Sequence, residues 1–342
     1  MEPQYRSGTK RVRPFAQSAQ VSHRGCSRPL QRAVTDFGAD LPFAQVMDKL
    51  VEHYGIILCE STIRHTTEGH AQAIFEAAQR GNPSRPIPRS ASAVVIVEMD
   101  GGMVPIMEPD TSSPDQRKGK KLGWKEAKIC LAHPQGSKTL AYGGTLQGDV
   151  NTAGEQLLAC AVQAGFGKQT HVHAVGDGAQ WIADQVEDQF GAQSSYLLDF
   201  YHVCEYLAAA AAHIVSDATA RKAWMTEQKA RLKTQQAKRV LQVLLPHIEA
   251  VDIADPDAPV RQCYRYLSHR LDQLNYQGAL AQGLPIGSGE IESGHRYIVQ
   301  KRMKLPGAWW RAANAEYMLA LRLNRANGLW NHYWAADWKQ AA

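Results

Sequence analysis

The chain has 342 residues, 44% of them hydrophobic, and a formal net charge of +5. That length can bury a sizeable core and suggests two or three folding units, while the mild positive charge suits a polyanion partner without requiring one. No stretch approaches the ~20 apolar residues of a membrane span, and the basic segment 1–14 has no apolar run of the kind a secretory signal carries, so a soluble, cytoplasmic protein is expected.

Residues 1–28 are polar and basic (Lys10, Arg11, Arg13, Arg24, Arg28) and are expected to form a flexible arm. From 29 to 80 the periodicity is helical. Leu30, Val34 and Phe37 recur at helical spacing, then Phe43, Val46, Met47, Leu50 and Val51, with Gly55 as a stop signal. Ser61-Thr62 is the expected N-cap of a longer third helix. Helix, turn, helix with a polar first turn on the last helix is the outline of a helix-turn-helix DNA-binding domain, and equally of a plain three-helix bundle. Residues 81–90 hold three prolines and form a linker.

A second unit, 91–203, opens with the apolar run Val94 to Met99, closed by Asp100. Such a run fits a strand buried on both faces. Gly101-Gly102 is the expected hairpin turn into Met103–Met107. A polar loop, 110–123, carries Arg117, Lys118, Lys120 and Lys121. Strands are expected at 124–131 and 139–145, a helix at 151–164, a strand from His171 to Val175 with Asp177 just beyond, a helix at 179–190, and a fifth strand at 196–202. Three antiparallel strands followed by helix, strand, helix, strand is the order of the ribonuclease H fold. In that layout the first and fourth strands are neighbours, so Asp100 and Asp177 would meet. Residues 204–286 read as an all-helical insertion, too long for a simple connection. Residues 287–342 hold a basic helix from about Glu290 to Lys304, a second helix to Ala326, and an aromatic tail with Trp330, Tyr333, Trp334 and Trp338. The fold class expected is therefore α/β: a ribonuclease H-like mixed sheet with a large helical insertion, behind a small helix-turn-helix-like domain.

Asp100, Asp177 and Glu292 are the candidate catalytic and metal-binding acids. Three gathered carboxylates repel unless a cation lies between them, and hard oxygens of this kind suit Mg²⁺ or Mn²⁺. Two such ions are the usual device for in-line phosphodiester chemistry. Glu290 is the alternative to Glu292, since the two cannot face the same way on one helix. His202 is a further candidate catalytic residue, either reaching a scissile phosphate or holding Asp199. Arg117, Lys118, Lys120 and Lys121, together with Arg296, Lys301, Arg302 and Lys304, are candidate DNA contacts, of the type that gives salt-sensitive affinity. The six cysteines (Cys26, Cys59, Cys130, Cys160, Cys204, Cys263) form no C-x-x-C pair and read as reduced core residues. No P-loop and no G-x-S-x-G nucleophile elbow occurs.

In order along the chain stand Gly176-Asp177-Gly178-Ala179-x-Trp181-Ile182, Leu198-Asp199-Phe200-Tyr201-His202-Val203, Gly287-Ser288-Gly289-x-x-Glu292-Ser293, Lys301-Arg302-Met303-Lys304 and Gly307-x-Trp309-Trp310. This ordered set resembles bacterial insertion-sequence DDE transposases of the ISKra/ISLre, Mutator-like type, over about residues 91–330. The resemblance implies a ribonuclease H-like catalytic domain with an insertion before the third acid, which it matches to Glu292. It also implies double-stranded DNA partners (terminal inverted repeats and target), homo-oligomers on DNA and a nucleoid-associated location. It implies hydrolytic cleavage at element ends and strand transfer by the freed 3′-hydroxyl. Asp199 and His202 match a further motif of related transposases, an acid or cysteine followed by two residues and a histidine. One departure is that family members often carry cysteine pairs in a longer N-terminal region, where only Cys26 stands here, so a truncated N-terminus is expected. A nuclease or resolvase on the same scaffold, or a non-catalytic DNA-binding derivative, are the competing readings.

Overall fold

A computed structural model describes residues 5–7, 10–12, 25–81, 90–110, 112 and 119–335. Part of the basic N-terminal stretch is paired strand rather than irregular chain: β1 (Tyr5–Ser7) lies antiparallel to β2 (Lys10–Val12). Three helices follow, α1 (Arg28–Asp40), α2 (Phe43–Tyr54) and α3 (Glu60–Gln79). Pro29 stands in the first turn of α1, where its missing N–H is no loss. Gly55 ends α2 in the left-handed region at φ 62°, as a stop signal should. The third helix starts earlier than expected, with Cys59 rather than Ser61 or Thr62 at the N-cap. Val34, Val46, Leu50 and Ile63 form the core of this bundle, with Leu30, Phe37, Met47 and Leu58 around them.

The second unit contains a five-stranded mixed sheet: β3 (Val94–Pro109), β4 (Lys120–Pro134), β5 (Ala141–Thr145), β6 (His171–Gly176) and β7 (Ser194–Leu198), in the order β5-β4-β3-β6-β7. The first three strands are antiparallel, and β6 and β7 run parallel to β3. The first and fourth strands of the sheet are thus neighbours, as anticipated. The expected hairpin turn fails. Gly101-Gly102 is not a turn, because β3 passes straight through it and pairs with β4 without a break from Val95 to Pro109. The glycines serve close approach instead of reversal. A Cβ on Gly101 would collide with the Glu126 carboxylate, and one on Gly102 with the His295 ring. The strand expected at 196–202 also ends sooner, at Leu198, so His202 sits in the first turn of a helix.

Side chains alternate across β3. Val95, Val97 and Met99 pack on α4 (Val150–Gln163) and α5 (Gln180–Phe190) through Leu157, Ile182 and Val186. Ile96 faces the other way. There, α6 (Phe200–Ile214), α7 (Ala218–Lys233), α8 (Ala237–Leu244), α9 (Pro259–Ser268) and α10 (Tyr276–Ala281) share one core with Ile96, Leu197 and Leu198. The helical insertion therefore packs directly on the sheet. Further along the same face lie α11 (Gly289–His295), its π-helical and helical continuations (Arg296–Gln300, Lys301–Met303), and α12 (Ala312–Ala326). Their core joins Val104, Ile106, Ile129 and Leu131 to Ile291, Ile298 and Leu319, and it also takes in Ala39, Ala71 and Ile74 of the N-terminal bundle. The last helix, α13 (Trp330–Ala335), buries Trp334 and brings Tyr333 Oη to 2.8 Å from His70 Nδ1. Trp338 lies outside the described residues.

Five of the six cysteines are buried and none is paired; Cys59 is the exception, exposed at its cap position. Among the described residues no helix is long and apolar enough to cross a membrane.

Candidate active site

Two of the candidate acids occupy matching positions of a parallel strand pair, Asp100 within β3 and Asp177 just past the end of β6. The last registered pair of β3 and β6 is Glu98 with Val175. Two residues further on each chain stand Asp100 and Asp177. Alternation puts Asp100 on the same face as Ile96 and Glu98, and neighbouring strands are about 4.8 Å apart. Asp100 accepts the Gly101 N–H at 2.7 Å through Oδ1. Asp177 accepts the Ala179 N–H at 2.9 Å through Oδ1, which shapes the turn into α5. Gly178 completes that turn at φ +87°, a conformation a side chain would strain. The insertion holds this turn in place. The Tyr266 hydroxyl donates to the Asp177 carbonyl at 2.5 Å and Arg270 to the Gly178 carbonyl at 2.8 Å.

Burial raises the Asp100 pKa above the usual carboxylate value. His295 and the Gly101 N–H oppose the rise, and the Asp177 charge adds to it. The mutual repulsion of these two carboxylates is what a cation would relieve. His295 Nε2 lies 3.6 Å from Asp100 Oδ2, and burial holds that imidazole below its ordinary pKa despite the acid beside it.

The third acid is delivered by a clamp that sequence reasoning did not assign. Asp199 follows β7 and caps α6, accepting from the N–H groups of Tyr201 and His202 at 2.5 and 3.2 Å. Its other oxygen accepts from both the N–H and the hydroxyl of Ser288, at 2.6 and 2.5 Å. This fully buried carboxylate pins the Gly-Ser-Gly loop against the sheet. A Cβ on Gly287 would strike the Tyr201 ring, so the loop needs glycine to come this close. Burial tends to raise the Asp199 pKa, but the contacts with His202 and Ser288 outweigh it and hold the group at about 2. His202 Nδ1 lies 3.6 Å from Asp199 Oδ2. Asp199 raises the His202 pKa to about 9, against the effect of burial and with help from the charges of Asp177 and Glu205. His202 is thus an imidazolium at neutral pH, set among carboxylates.

α11 then presents its two acids in different directions. One oxygen of Glu292 lies within 4.8 Å of ligand atoms of both Asp199 and His202. Glu290 points instead to β4, where its Oε2 is 2.8 Å from His133 Nε2. A second anchor was also missed from sequence. Glu98, buried beneath the site, accepts the Ile291 N–H at 2.8 Å and so ties α11 to β3. Burial drives Glu98 up to about 8, the Ile291 N–H opposing and the charges of Glu290, Asp199 and Glu292 adding. The available signal was a lone acid inside an apolar strand, two residues before Asp100.

Asp100, within β3, and Asp177, one residue past β6, interact electrostatically with each other and with His202, and Glu292 lies beside His202. Among the described residues Asp199, His202 and Glu292 form the one group whose ligand atoms all lie within 4.8 Å of one another; Asp100, Asp177 and Glu292 do not come that close together. Both Asp199 oxygens are already committed to N–H and O–H donors, which makes it a poor metal ligand. The oxygens of Asp100, Asp177 and Glu292 are the better match for a hard divalent cation.

The candidate DNA contacts divide. Arg296, Lys301 and Lys304 are exposed, as are Lys120 and Lys121 at the start of β4, with Lys121 Nζ 3.3 Å from Asp110. Arg117 and Lys118 lie outside the described residues. Arg302 is a correction. It is 3% exposed, donates to the Gly38 carbonyl at 3.0 Å, and lies 4.8 Å from the ring centres of both Phe43 and Trp310. Its stem and guanidinium fill the seam between the N-terminal bundle and the C-terminal segment, so it has no surface to offer DNA. Compared with models of known protein families and with curated proteins, the chain finds no match in either.

Proposed function

We propose that the chain is a DDE-type DNA transposase, cutting DNA at the ends of an element and joining the freed 3′-hydroxyl to target DNA. The observation that carries this reading is the matched placement of Asp100 in β3 and Asp177 just past the neighbouring parallel strand β6, with Glu292 held near His202 by the clamped Gly-Ser-Gly loop. The strand order, three antiparallel strands extended on the β3 side by two strands parallel to it, supports a ribonuclease H-like sheet, interrupted by the helical insertion before the third acid. Asp100, Asp177 and Glu292 would hold two Mg²⁺ or Mn²⁺ ions. When bound, such ions neutralise the carboxylates and steady the attacking and leaving oxygens of a phosphodiester.

The chain's own groups do the rest. Asp199 fixes the Gly-Ser-Gly loop and with it Glu292. The His202 imidazolium puts positive charge among the acids, which lowers the cost of bringing a phosphate there. Arg296, Lys301 and Lys304 form an exposed basic run suited to a duplex backbone. The partners proposed are the terminal inverted repeats and target duplex, bound by a homo-oligomer.

The test uses a labelled duplex carrying an element end, with Mn²⁺. Asp100→Asn, Asp177→Asn and Glu292→Gln are each expected to lower cleavage at least 100-fold while leaving duplex binding within about twofold, because each removes a charge essential to metal binding. Glu290→Gln should cut nearly as well as the unchanged protein. Loss of cleavage in Glu290→Gln with activity kept in Glu292→Gln would overturn the assignment of the third acid.

A further inference from the structure

Beyond Asp100, β3 and β4 run on together past the end of β6, and the face opposite the acids lies open there. Register places Met103, Pro105, Met107 and Pro109 on this face, opposite Glu126, Trp124, Leu122 and Lys120. Met103, Leu122 and Trp124 are 45, 60 and 59% exposed, and Trp309, from the segment after α11, is 40% exposed. The Trp124 and Trp309 rings lie 6.1 Å apart at 57°. Large apolar groups left together in water usually mark a binding surface.

Trp309 is positioned through its neighbour. Its neighbour Trp310 lies on the edge of β3 that β6 leaves uncovered: the Trp310 N–H donates to the Pro105 carbonyl at 3.2 Å, and the Met107 N–H donates to the Trp310 carbonyl at 2.8 Å. The buried Trp310 indole donates to the Met303 carbonyl at 3.1 Å, and Arg302 lies over its ring. Adjacent residues of an extended segment point opposite ways. Burying Trp310 therefore turns Trp309 outward, beside Trp124.

We propose that Trp124 and Trp309 form a platform on which an unpaired base of a nucleic-acid strand stacks, with Lys120 at its far end meeting the strand's phosphates. This rests on the nucleic-acid reading of the acidic site. Trp124 pairs with Pro105, five positions past Asp100 on the same strand, or about 17 Å along it, so a strand reaching both would pass from one face of the sheet to the other. Indole faces stack on any base, whereas an intact duplex hides its base faces and would ask for more cations than this face presents. A second copy of the chain fits less well. Four partly exposed side chains fall short of the ~800 Å² per partner of a stable interface, and with Glu126 already paired to Lys128 at 3.2 Å, Lys120 leaves the face net positive, which favours an anion.

The test is fluorescence anisotropy with a labelled single strand of thymidines, run on the full chain in EDTA so that metal chemistry plays no part. Trp124→Ala and Trp309→Ala are each expected to weaken binding by roughly 5- to 100-fold. Trp124→Phe, which keeps a ring, should stay near the unchanged protein, and so should Leu122→Ala, which removes apolar area but no π face. Unchanged affinity in both alanine variants would overturn the platform, as would equal losses in Leu122→Ala and Trp124→Ala. Dissociation of an oligomer by Trp124→Ala, with binding unaltered, would assign the face to a second copy instead. If element ends are cleaved but the tryptophan variants bind normally, the platform fails and the transposase reading stands. Ring-dependent binding without metal-dependent cleavage would sink that reading and keep the platform.

Discussion

Glu98 shows how a single buried carboxylate can shape the behaviour of this site. Its side chain is 2% exposed by residue and its pKa is pushed up to about 8, against an ordinary value near 4.5. Between those two values the folded chain keeps a proton that the unfolded chain releases. Stability therefore falls as pH rises through that window, and stays reduced above it. Gln accepts the Ile291 N–H as well as Glu does but cannot ionise. Glu98→Gln is expected to match the unchanged protein at pH 5 and to exceed it at pH 8.5 by on the order of 2 kcal/mol in metal-free buffer. Urea unfolding at the two pH values checks this, and an equal difference at both would remove the ionisation of Glu98 as the cause. The residue scale also separates Arg302 from Lys301 and Lys304. All three sit in one basic run, and exposed Lys301 reaches one ring, Tyr297, at 5.8 Å, but Arg302 is buried with two ring faces and a backbone carbonyl that suit a planar guanidinium.

At the scale of elements, the site depends on how α6 and α11 meet the sheet. One residue, Asp199, caps α6 and captures Ser288 before α11 begins. Asp199→Ala would leave the Ser288 N–H and hydroxyl and two helix N–H groups without their acceptor. A loss of about 3 kcal/mol in stability is expected, with Mn²⁺-dependent cleavage falling further than Ser288→Ala makes it fall. Asp199→Ala would also return His202 toward its ordinary pKa, because Asp199 is the main reason for the rise. NMR titration of the His202 ring reads this directly. A His202 pKa still near 9 in the variant would show that other carboxylates, not Asp199, hold the imidazolium. The straight passage of β3 through Gly101-Gly102 belongs to this scale as well. Two glycines between strand-forming runs carry the pattern of a turn, and they became mid-strand residues because Glu126 and His295 lie where their side chains would have been.

At the scale of the molecule, the N-terminal bundle is joined to the sheet unit by buried arginines. Arg322, 1% exposed, donates to the carbonyls of Ala39, Ile298 and Tyr297 and pairs with Asp40. Arg322→Ala should cost about 3 kcal/mol or more, by stranding these acceptors and the Asp40 charge. Asp36→Ala, which removes a half-exposed partner of Arg325, should cost less than about 1 kcal/mol. Denaturant midpoints of the two variants compare them, and a similar loss in both would place the tie elsewhere.

What the sequence determined by itself was local. The helical periodicity of 29–80, the stop at Gly55, the apolar runs before Asp100 and Asp177, and the helix-rich stretch from 204 all came from patterns of burial along a single element. The neighbouring of β3 and β6 was also legible, because the order of strands and helices leaves few ways to build such a sheet. Tertiary structure alone decided which side chains meet. It set Glu292 toward His202 and Glu290 toward His133, sank Arg302, straightened Gly101-Gly102, and made Asp199 and Glu98 anchors for α11. The physical reason is that periodicity records whether a residue faces core or solvent, while a carboxylate's role depends on the donors and charges that other segments bring to it across the fold.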